Sequence, residues 1–344
     1  MSGNRLWMSV NPSRRDLLRQ TGALALGTAA LAAGGGPLRL ARAQEILQWG
    51  SSSLGSTGYV IIEALAWAAN QWSDRRNSSM ATAGGAENMA LLQQGLLDFG
   101  QTTSSDWKPA MDGEPPYQGP VEAYQMFAYT LWSLHPMVLA DSDIQELGQL
   151  AGRRVMPSTA GGATAQMWDT VFGAAGLADQ VNWTYGSWRE TYDALTSGAA
   201  DCIPTLLTNG RPSPVLEELM TARDVRVVDV PDDVVRKAQE ANPGILTSEV
   251  TPEEWRALDA PRSLISAAGI LAVHPRVSED TAYAITKAIF DHVEEVRSKG
   301  VQLEDVSLEF ATKNLIPQYP VHPGAAKYFQ EKGVWRDDLT VAEL

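Results

Sequence analysis

The chain has 344 residues, which is room for about two domains of ordinary size. It carries a formal net charge of −14 at pH 7, and residues 44–344, with 21 basic and 40 acidic side chains, carry a net charge near −19. An acidic surface of this kind argues against nucleic acid and against anionic membranes as partners.

The first 43 residues are typical of an export signal. A twin-arginine signature at 13–18 precedes a mildly apolar run, rich in Ala, Gly and Leu, at 21–36. Ala41 and Ala43 place small side chains at both positions that a signal peptidase recognises. We therefore expect a signal peptide that is cleaved after Ala43, and a periplasmic protein exported by the twin-arginine pathway. A retained anchor is the weaker alternative, because the apolar run is shorter than the about 20 residues that span a bilayer.

Strands and helices alternate along the rest of the chain. Apolar runs predict strands, and apolar residues at three- and four-residue spacing predict helices. The predicted strands are 45–49, 80–82, 96–100, 126–131, 137–140, 153–156, 181–185, 202–206, 225–230 and 263–273. The predicted helices are 59–72, 86–94, 164–175 and 187–196, with further helices after Pro214 and after Ser278. This alternation is typical of α/β folds with parallel sheets, whose ligands bind at the carboxyl ends of the strands.

Three Gly-rich corners follow predicted strands and open predicted helices. One lies at 50–58, and the other two are copies of the pentapeptide TAGGA at 82–86 and 159–163. A helix N-terminus has unpaired N–H groups and a partial positive charge, and Gly lets a ligand approach the backbone closely. The corners therefore predict a site for a carboxylate or a similar anion. For any one corner, a tight turn without a ligand is the alternative.

The candidate ligand-binding residues belong to these corners and to the positions beside them. They are Ser51, Ser52, Thr57, Tyr59, Gly85, Asn88, Gln101, Ser158, Gly162, Thr164, Trp188 and Arg211. Trp188 is expected to form an aromatic wall. Arg211 is the cationic residue expected nearest the ligand, with a solvent-facing loop arginine as the more common alternative.

Motifs for catalysis, metals and cofactors are missing from the sequence. The four histidines are scattered, and neither a zinc pattern nor a G-x-S-x-G elbow nor a nucleotide-binding glycine motif occurs. The single cysteine, Cys202, cannot form a disulfide within the chain and is predicted to be a buried structural thiol. We therefore expect no catalytic residue, no metal site and no cofactor.

Several motifs, in their order and spacing, resemble the TAXI family of solute receptors, which serve tripartite ATP-independent periplasmic (TRAP) transporters. The similar segments are Gly50-Ser51, Gly55-Ser56-Thr57-Gly58-Tyr59, TAGGAEN at 82–88, Asp98-Phe99-Gly100-Gln101, 147–155, Gly161-Gly162-Ala163-Thr164, Gly210-x-Pro212-x-Pro214 and 322–333. The resemblance covers nearly all of the chain after the leader. Ala86 and Ala163 depart from it, because the family usually has Ser at these positions.

This resemblance implies a two-lobed, hinged periplasmic binding protein of type II-like fold. Lobe I would comprise 44–140 and 267–344, and lobe II would comprise 141–266. The protein would close on a small organic acid, such as a dicarboxylate, a 2-oxo acid or a glutamate-like compound, and deliver it to the TRAP permease subunits. Two alternatives stay open: a receptor of an ABC importer with the same fold and, less favoured, a periplasmic enzyme on the same scaffold.

Overall fold

The computed structural model describes residues 46–54 and 56–344. The predicted signal peptide and its cleavage site lie outside the described residues. The described part of the chain contains no helix with the length and apolar character needed to cross a bilayer.

Strands and helices alternate through most of the described chain. The strands are β1 (Ile46–Gly50), β2 (Arg76–Met80), β3 (Phe99–Thr103), β4 (Tyr124–Ser133), β5 (Pro136–Leu139), β6 (Arg154–Val155), β7 (Asn182–Trp183), β8 (Ile203–Pro204), β9 (Leu207–Thr208), β10 (Arg211–Pro212), β11 (Val225–Val227), β12 (Leu246–Val250) and β13 (Arg262–Val273). The helices are α1 (Thr57–Trp72), α2 (Gly85–Gln93), α3 (Trp107–Asp112), α4 (Ala163–Ala174), α5 (Trp188–Ser197), α6 (Pro214–Ala222), α7 (Asp232–Ala241), α8 (Glu279–Phe290), α9 (Val293–Arg297), α10 (Leu308–Lys313) and α11 (Pro323–Glu331). Short 3₁₀ turns lie at Ser104–Asp106, Leu147–Leu150 and Val301–Leu303.

The larger sheet has its parallel strands at one end. Its order is β2-β1-β3-β13-β4, with β9 and β10 beyond β4 and with β12 beside β13. Strand β1 pairs in parallel with β2 and β3, whereas the long strand β13 is antiparallel to β3 and β4. The carboxyl ends of β1 and β3 therefore meet at one edge, where the helices α1 and α2 begin.

A second sheet repeats this strand arrangement. Strands β6 and β7 pair in parallel, and a parallel bridge between Val155 and Cys202 joins β6 to the start of β8. Strand β5 is antiparallel to β8 and β11. The order β7-β6-β8-β5-β11 matches β2-β1-β3-β13-β4, since both place one antiparallel strand after three parallel ones. The predicted α/β class with parallel strands is confirmed.

The chain passes from the first sheet to the second at Leu134 and His135, between β4 and β5. The backbone around His135 exchanges hydrogen bonds with Thr205, whose hydroxyl also donates to Ser133 O (2.9 Å). The His135 ring accepts at Nδ1 from Ile265 N–H (3.1 Å) and donates from Nε2 to Val228 O (2.8 Å). Burial lowers the pKa of His135 to about 4, so the ring is neutral at physiological pH.

Local sequence signals explain most of the element boundaries. Ser56 caps α1 by accepting from Tyr59 N–H, and Ser187 with Glu190 forms a capping box at the start of α5. Gly198 ends α5 in the left-handed conformation. Cys202 is fully buried and its pKa is raised by that burial, which confirms it as a structural thiol.

Several segments differ from the predicted elements. The strand expected at 80–82 ends at Met80, because Thr82 instead donates its hydroxyl to Ser51 O (3.0 Å). The strand expected at 96–100 begins three residues later, at Phe99. Helix α7 and strand β12 were not predicted: only Val234 and Ala238 of α7 are buried, and β12 is short and polar.

Candidate ligand-binding site

The first two Gly-rich corners meet at the side chain of Gln101, near the end of β3. A Cβ built on Gly58, in the first turn of α1, would lie 3.6 Å from Gln101 Cδ. A Cβ built on Gly84, which precedes α2, would lie 3.9 Å from Gln101 Oε1. Gln101 is 4% exposed, and its Oε1 is buried without a hydrogen-bond partner. The structure therefore brings Gln101 to the N-termini of both α1 and α2.

Asn88 ties the strand ends of this edge together. Its Nδ2 donates to Ser51 O (2.7 Å) and to Gln101 O (2.8 Å), and Gly50 O lies at 3.4 Å. All of these acceptors are backbone carbonyls of this chain, and the side chain is fully buried. The amide group that was expected to donate to a ligand is therefore used to hold β1 against β3. The Asn88 Oδ1 atom has no hydrogen-bond partner.

The other candidates in the first corner have different environments. Ser51 is fully buried, and its hydroxyl donates to Met80 O (2.7 Å), so it links β1 to β2. Ser52, Thr57 and Tyr59 are half-buried, and the structure assigns no side-chain hydrogen bond to any of the three. These three hydroxyl groups lie in the loop and the first turn of α1, where they can still reach a ligand.

Asp106 is a residue that sequence reasoning missed. It ends the 3₁₀ turn after β3 and is 1% exposed. Its Oδ2 accepts from Thr103 N–H (2.7 Å) and from Thr103 Oγ1 (2.8 Å), whereas its Oδ1 has no hydrogen-bond partner. Burial raises the pKa of Asp106 to about 6, although both hydrogen bonds from Thr103 lower it. The spacing of Thr103 and Asp106 is a visible capping pattern, but nothing local in the sequence reveals the burial.

Asp106 lies directly against the start of α2. A Cβ on Gly85 would overlap Asp106 Oδ2, so the predicted site residue Gly85 is required for close packing of a carboxyl group. The phenol of Tyr129 is buried in the same region, without a hydrogen bond of good geometry. Burial raises the pKa of Tyr129, an effect that Gln101 opposes and that the Asp106 carboxylate strengthens. Gln101, Asp106 and Tyr129 thus form one cluster, which we call the acceptor cluster.

The second TAGGA corner has a different geometry. Ser158 is 3% exposed and adopts a left-handed backbone with φ 89°, and its carbonyl accepts from Gly186 N–H (3.1 Å). Gly161 has φ 69°, and Gly162 is the N-cap of α4. Thr164, in the first turn of α4, is 6% exposed. The first N–H groups of α4 and two buried hydroxyl residues therefore lie at this corner.

The turn that carries Asp106 is contacted by two further segments of the chain. Helix α4 contacts the turn at Ser104–Asp106. The same turn is bound from a further segment, because Asn242 Nδ2 donates to Ser105 O (2.9 Å) and Ser104 Oγ donates to Gly244 O (2.5 Å). The structure thus places helix α4, which follows the second TAGGA, against the turn that ends at Asp106.

Trp188 and Arg211 are placed by partners within the chain. Trp188 begins α5, is partly buried and packs beside Tyr192 with ring centroids 6.4 Å apart. The Arg211 guanidinium, at Nη1, pairs with Asp305 at 3.0 Å and with Glu304 at 3.3 Å. The Arg211 guanidinium is therefore paired with carboxylates of this chain. No contact between described residues links it to the Gly-rich corners.

The two similar five-strand arrangements, each with one antiparallel strand after three parallel ones, define a two-lobed periplasmic binding protein fold. The chain belongs to the NMT1-like family, whose sequence profile matches residues 49–333.

Solved structures with related folds have low sequence identity to the chain. XAC2383 from Xanthomonas citri, determined with ATP bound, has a TM-score of 0.50 and 13% identity, over 84% of this chain and 96% of that one. The periplasmic aliphatic sulphonate binding protein SsuA from Escherichia coli has a TM-score of 0.45 and 14% identity, over 76% and 75%. A putative L-cystine ABC transporter protein from Listeria monocytogenes has a TM-score of 0.48 and 13% identity, over 75% and 95%.

Proposed function

We propose that the protein is an extracytoplasmic solute receptor that binds a small organic acid, without turnover, and delivers it to a membrane importer. The observation that carries the proposal is the meeting of the Gly-rich starts of α1 and α2 at one buried polar cluster, whose turn at Ser104–Asp106 also contacts α4. Unpaired N–H groups at helix starts are natural partners for a carboxylate. The buried oxygens of Gln101 and Asp106, which have no hydrogen-bond partner among the described residues, add polar groups that a ligand can satisfy.

The lobes are proposed to follow the two sheets. The boundaries expected from the sequence are 44–140 with 267–344 for lobe I and 141–266 for lobe II. We move the first boundary to His135, because β5 pairs in the second sheet, whereas β9, β10 and β12 extend the first sheet from within the second segment. The hinge would lie where β4 leads into β5 and where β13 begins. Strand pairing places β5 in the second sheet, which supports a first crossing at Leu134 and His135. The ligand would bind between the lobes, at the corners that begin α1, α2 and α4.

Energetic magnitudes explain why several contacts are needed. One helix N-terminus stabilises an anion by about 0.3–2 kcal/mol. Micromolar affinity requires about 8 kcal/mol. We propose that hydroxyl groups at Ser52, Thr57 and Thr164, with Trp188 as an apolar wall, supply further contacts. Asn88 and Ser51 act indirectly, by fixing the strand ends that hold these groups.

The membrane partner is proposed to be an ABC importer, with a TRAP permease as the second candidate. The motifs behind the TAXI resemblance have structural roles: Asn88 joins strands, and His322 caps α11 and donates to Val277 O (2.8 Å). Such residues support the fold and carry no information about the permease. Uptake that requires ATP hydrolysis would support the ABC importer, whereas uptake driven by an ion gradient would favour the TRAP permease.

A thermal-shift screen of the purified protein tests the function. We expect at least one organic acid among mono-, di- and 2-substituted carboxylates to raise the melting temperature, because the ligand binds only the folded state. The variant Gln101→Met should reduce this rise, and Gln94→Met, at the exposed end of α2, is the matched control. If sugars or simple amines raise the melting temperature and no acid does, the ligand class is wrong. If the purified protein consumes the acid that stabilises it, the alternative that the protein is an enzyme would be supported instead.

Export to the periplasm is proposed to use the twin-arginine pathway. The full chain should appear in the periplasmic fraction, and the double variant Arg14→Lys/Arg15→Lys should accumulate in the cytoplasm. The variant Arg19→Lys, outside the signature, is the control. Equal export of the double variant and the control would contradict the pathway.

A further inference from the structure

Two of the three unsatisfied side-chain oxygens in the acceptor cluster are hydrogen-bond acceptors. Gln101 Oε1 and Asp106 Oδ1 are both buried and have no hydrogen-bond partner. Both atoms accept hydrogen bonds when Asp106 is ionised, and neither can donate. Tyr129 adds a hydroxyl group that can donate or accept. Buried acceptors without partners are costly in free energy, so their presence together indicates a ligand that donates.

The charge of Asp106 is not balanced by any residue that the structure describes. Among the described residues, Asp106 forms no ion pair with lysine, arginine or histidine, and its hydrogen bonds come only from Thr103. The nearby titratable groups that interact with it are the phenols of Tyr117 and Tyr129. A positively charged group from outside the chain would therefore meet an unpaired carboxylate.

The position of Asp106 also determines at which helix N-termini a ligand anion can bind favourably. Its Oδ2 packs against Gly85, the first residue of α2, so a negative charge of the protein already lies at that helix N-terminus. The starts of α1 and α4 have no acidic residue in their first turns. A ligand carboxylate is therefore favoured at α1 and α4 and disfavoured beside Asp106.

Resting on the proposed function, we propose that the acid carries a hydrogen-bond donor, an ammonium or a hydroxyl group, next to its carboxylate. The donor binds Asp106 Oδ1 and Gln101 Oε1, while the carboxylate faces the starts of α1 and α4. Asp106 and Gln101 then act as specificity-determining residues. They select amino or hydroxy acids over oxo acids and over unsubstituted acids of the same skeleton.

Calorimetric titration with matched acids tests this selectivity. The five-carbon series is glutamate, 2-hydroxyglutarate, 2-oxoglutarate and glutarate, and the three-carbon series is alanine, lactate, pyruvate and propionate. In the series that fits, the amino or hydroxy acid should bind at least about tenfold more tightly than the oxo acid, since hydrogen bonds to charged groups are strong. An ammonium donor is indicated when the amino acid binds best, and a hydroxyl donor when the hydroxy acid does.

Two variants connect the preference to the cluster. Asp106→Asn should reduce the preference by about tenfold or more, with a larger loss for an amino acid than for a hydroxy acid. Gln101→Met removes the second acceptor without touching Asp106 and should also reduce it. If oxo or unsubstituted acids bind as tightly as the amino or hydroxy acids, the inferred selectivity is wrong and the proposed function remains. An unchanged preference in both variants has the same consequence. If no acid of either series or of the thermal-shift screen binds, the proposed function fails as well.

Discussion

Replacing Asp106 with asparagine should stabilise the ligand-free protein at neutral pH. Burial raises the pKa of Asp106 from 3.8 to about 6, so the ionised carboxylate is less favourable in the folded chain than in the unfolded one. A shift of about two units corresponds to about 3 kcal/mol, at 1.36 kcal/mol per unit. Asparagine has no charge to bury, and its side-chain oxygen can still accept from Thr103.

The sign of the pH dependence follows from the raised pKa. Below pH 3.8 the carboxyl group is protonated in both states, and no penalty exists. As the pH rises from 3.8 through 6, the unfolded chain releases its proton first, and the folded state loses stability relative to it. The gain from Asp106→Asn should therefore be near its full size at pH 7.5 and much smaller at pH 4.

Denaturant unfolding of the ligand-free protein at pH 4 and at pH 7.5 measures this difference. Asp98→Asn is the matched control, because Asp98 is also buried but accepts from Arg276 Nε (2.9 Å) and from Gln48 N–H (2.8 Å). Its substitution should reduce stability at pH 7.5, since a buried acceptor of an ion pair loses its charge. If Asp106→Asn also reduces stability at pH 7.5, the carboxylate is a structural cap, and the ligand-facing role is refuted.

Three further predictions test the structural roles of individual residues. Asn88→Ala should lower the free energy of unfolding by about 2–4 kcal/mol, because two buried carbonyls lose their donor. Gln101→Ala should lower it less, because Gln101 Oε1 has no hydrogen-bond partner to lose among the described residues. Denaturant unfolding measures both changes. Gly85→Ala should lower the melting temperature strongly, because the added Cβ would overlap the Asp106 carboxylate. Gly162 has the same position in the second TAGGA, and a Cβ added there would have no neighbouring atom closer than 3.1 Å. Gly162→Ala should therefore change the melting temperature little. His135→Gln should flatten the loss of stability between pH 6.5 and 4, since the folded protein resists protonation of the buried imidazole; an unchanged pH profile would contradict this role.

The fold could be predicted from the sequence where the evidence is local. The helices predicted at 59–72 and 187–196 correspond to α1 and α5, whose starts are capped by Ser56 and Ser187, and Gly198 ends α5. Helix α7 was missed because most of its side chains are polar, with only Val234 and Ala238 buried, so no apolar stripe marked it. Strand β12 owes its pairing to β13, a partner that its own short polar sequence does not reveal.

The candidate site could be predicted less fully, because its contacts join distant parts of the chain. Asn88 has a side chain suited to a ligand, but its carbonyl acceptors come from residues 37 and 13 positions away. Arg211 was placed near the ligand on charge alone, and its partners Glu304 and Asp305 lie far along the chain. Asp106 escaped notice because its importance comes from burial and from the packing of Gly85, neither of which a sequence pattern records.

The two TAGGA copies show why identical local sequences need not have equal functions. In the first copy the helix begins at Gly85, and in the second it begins one position later, at Ala163. Asp106 packs against the N-terminus of α2, where its carboxylate offsets the partial positive charge of the helix. The first turn of α4 contains no acidic residue. In the proposed binding mode, the first TAGGA therefore faces the donor of the ligand and the second TAGGA faces its carboxylate. A ligand with both groups would bind across the two corners, and a simple anion would use only one of them.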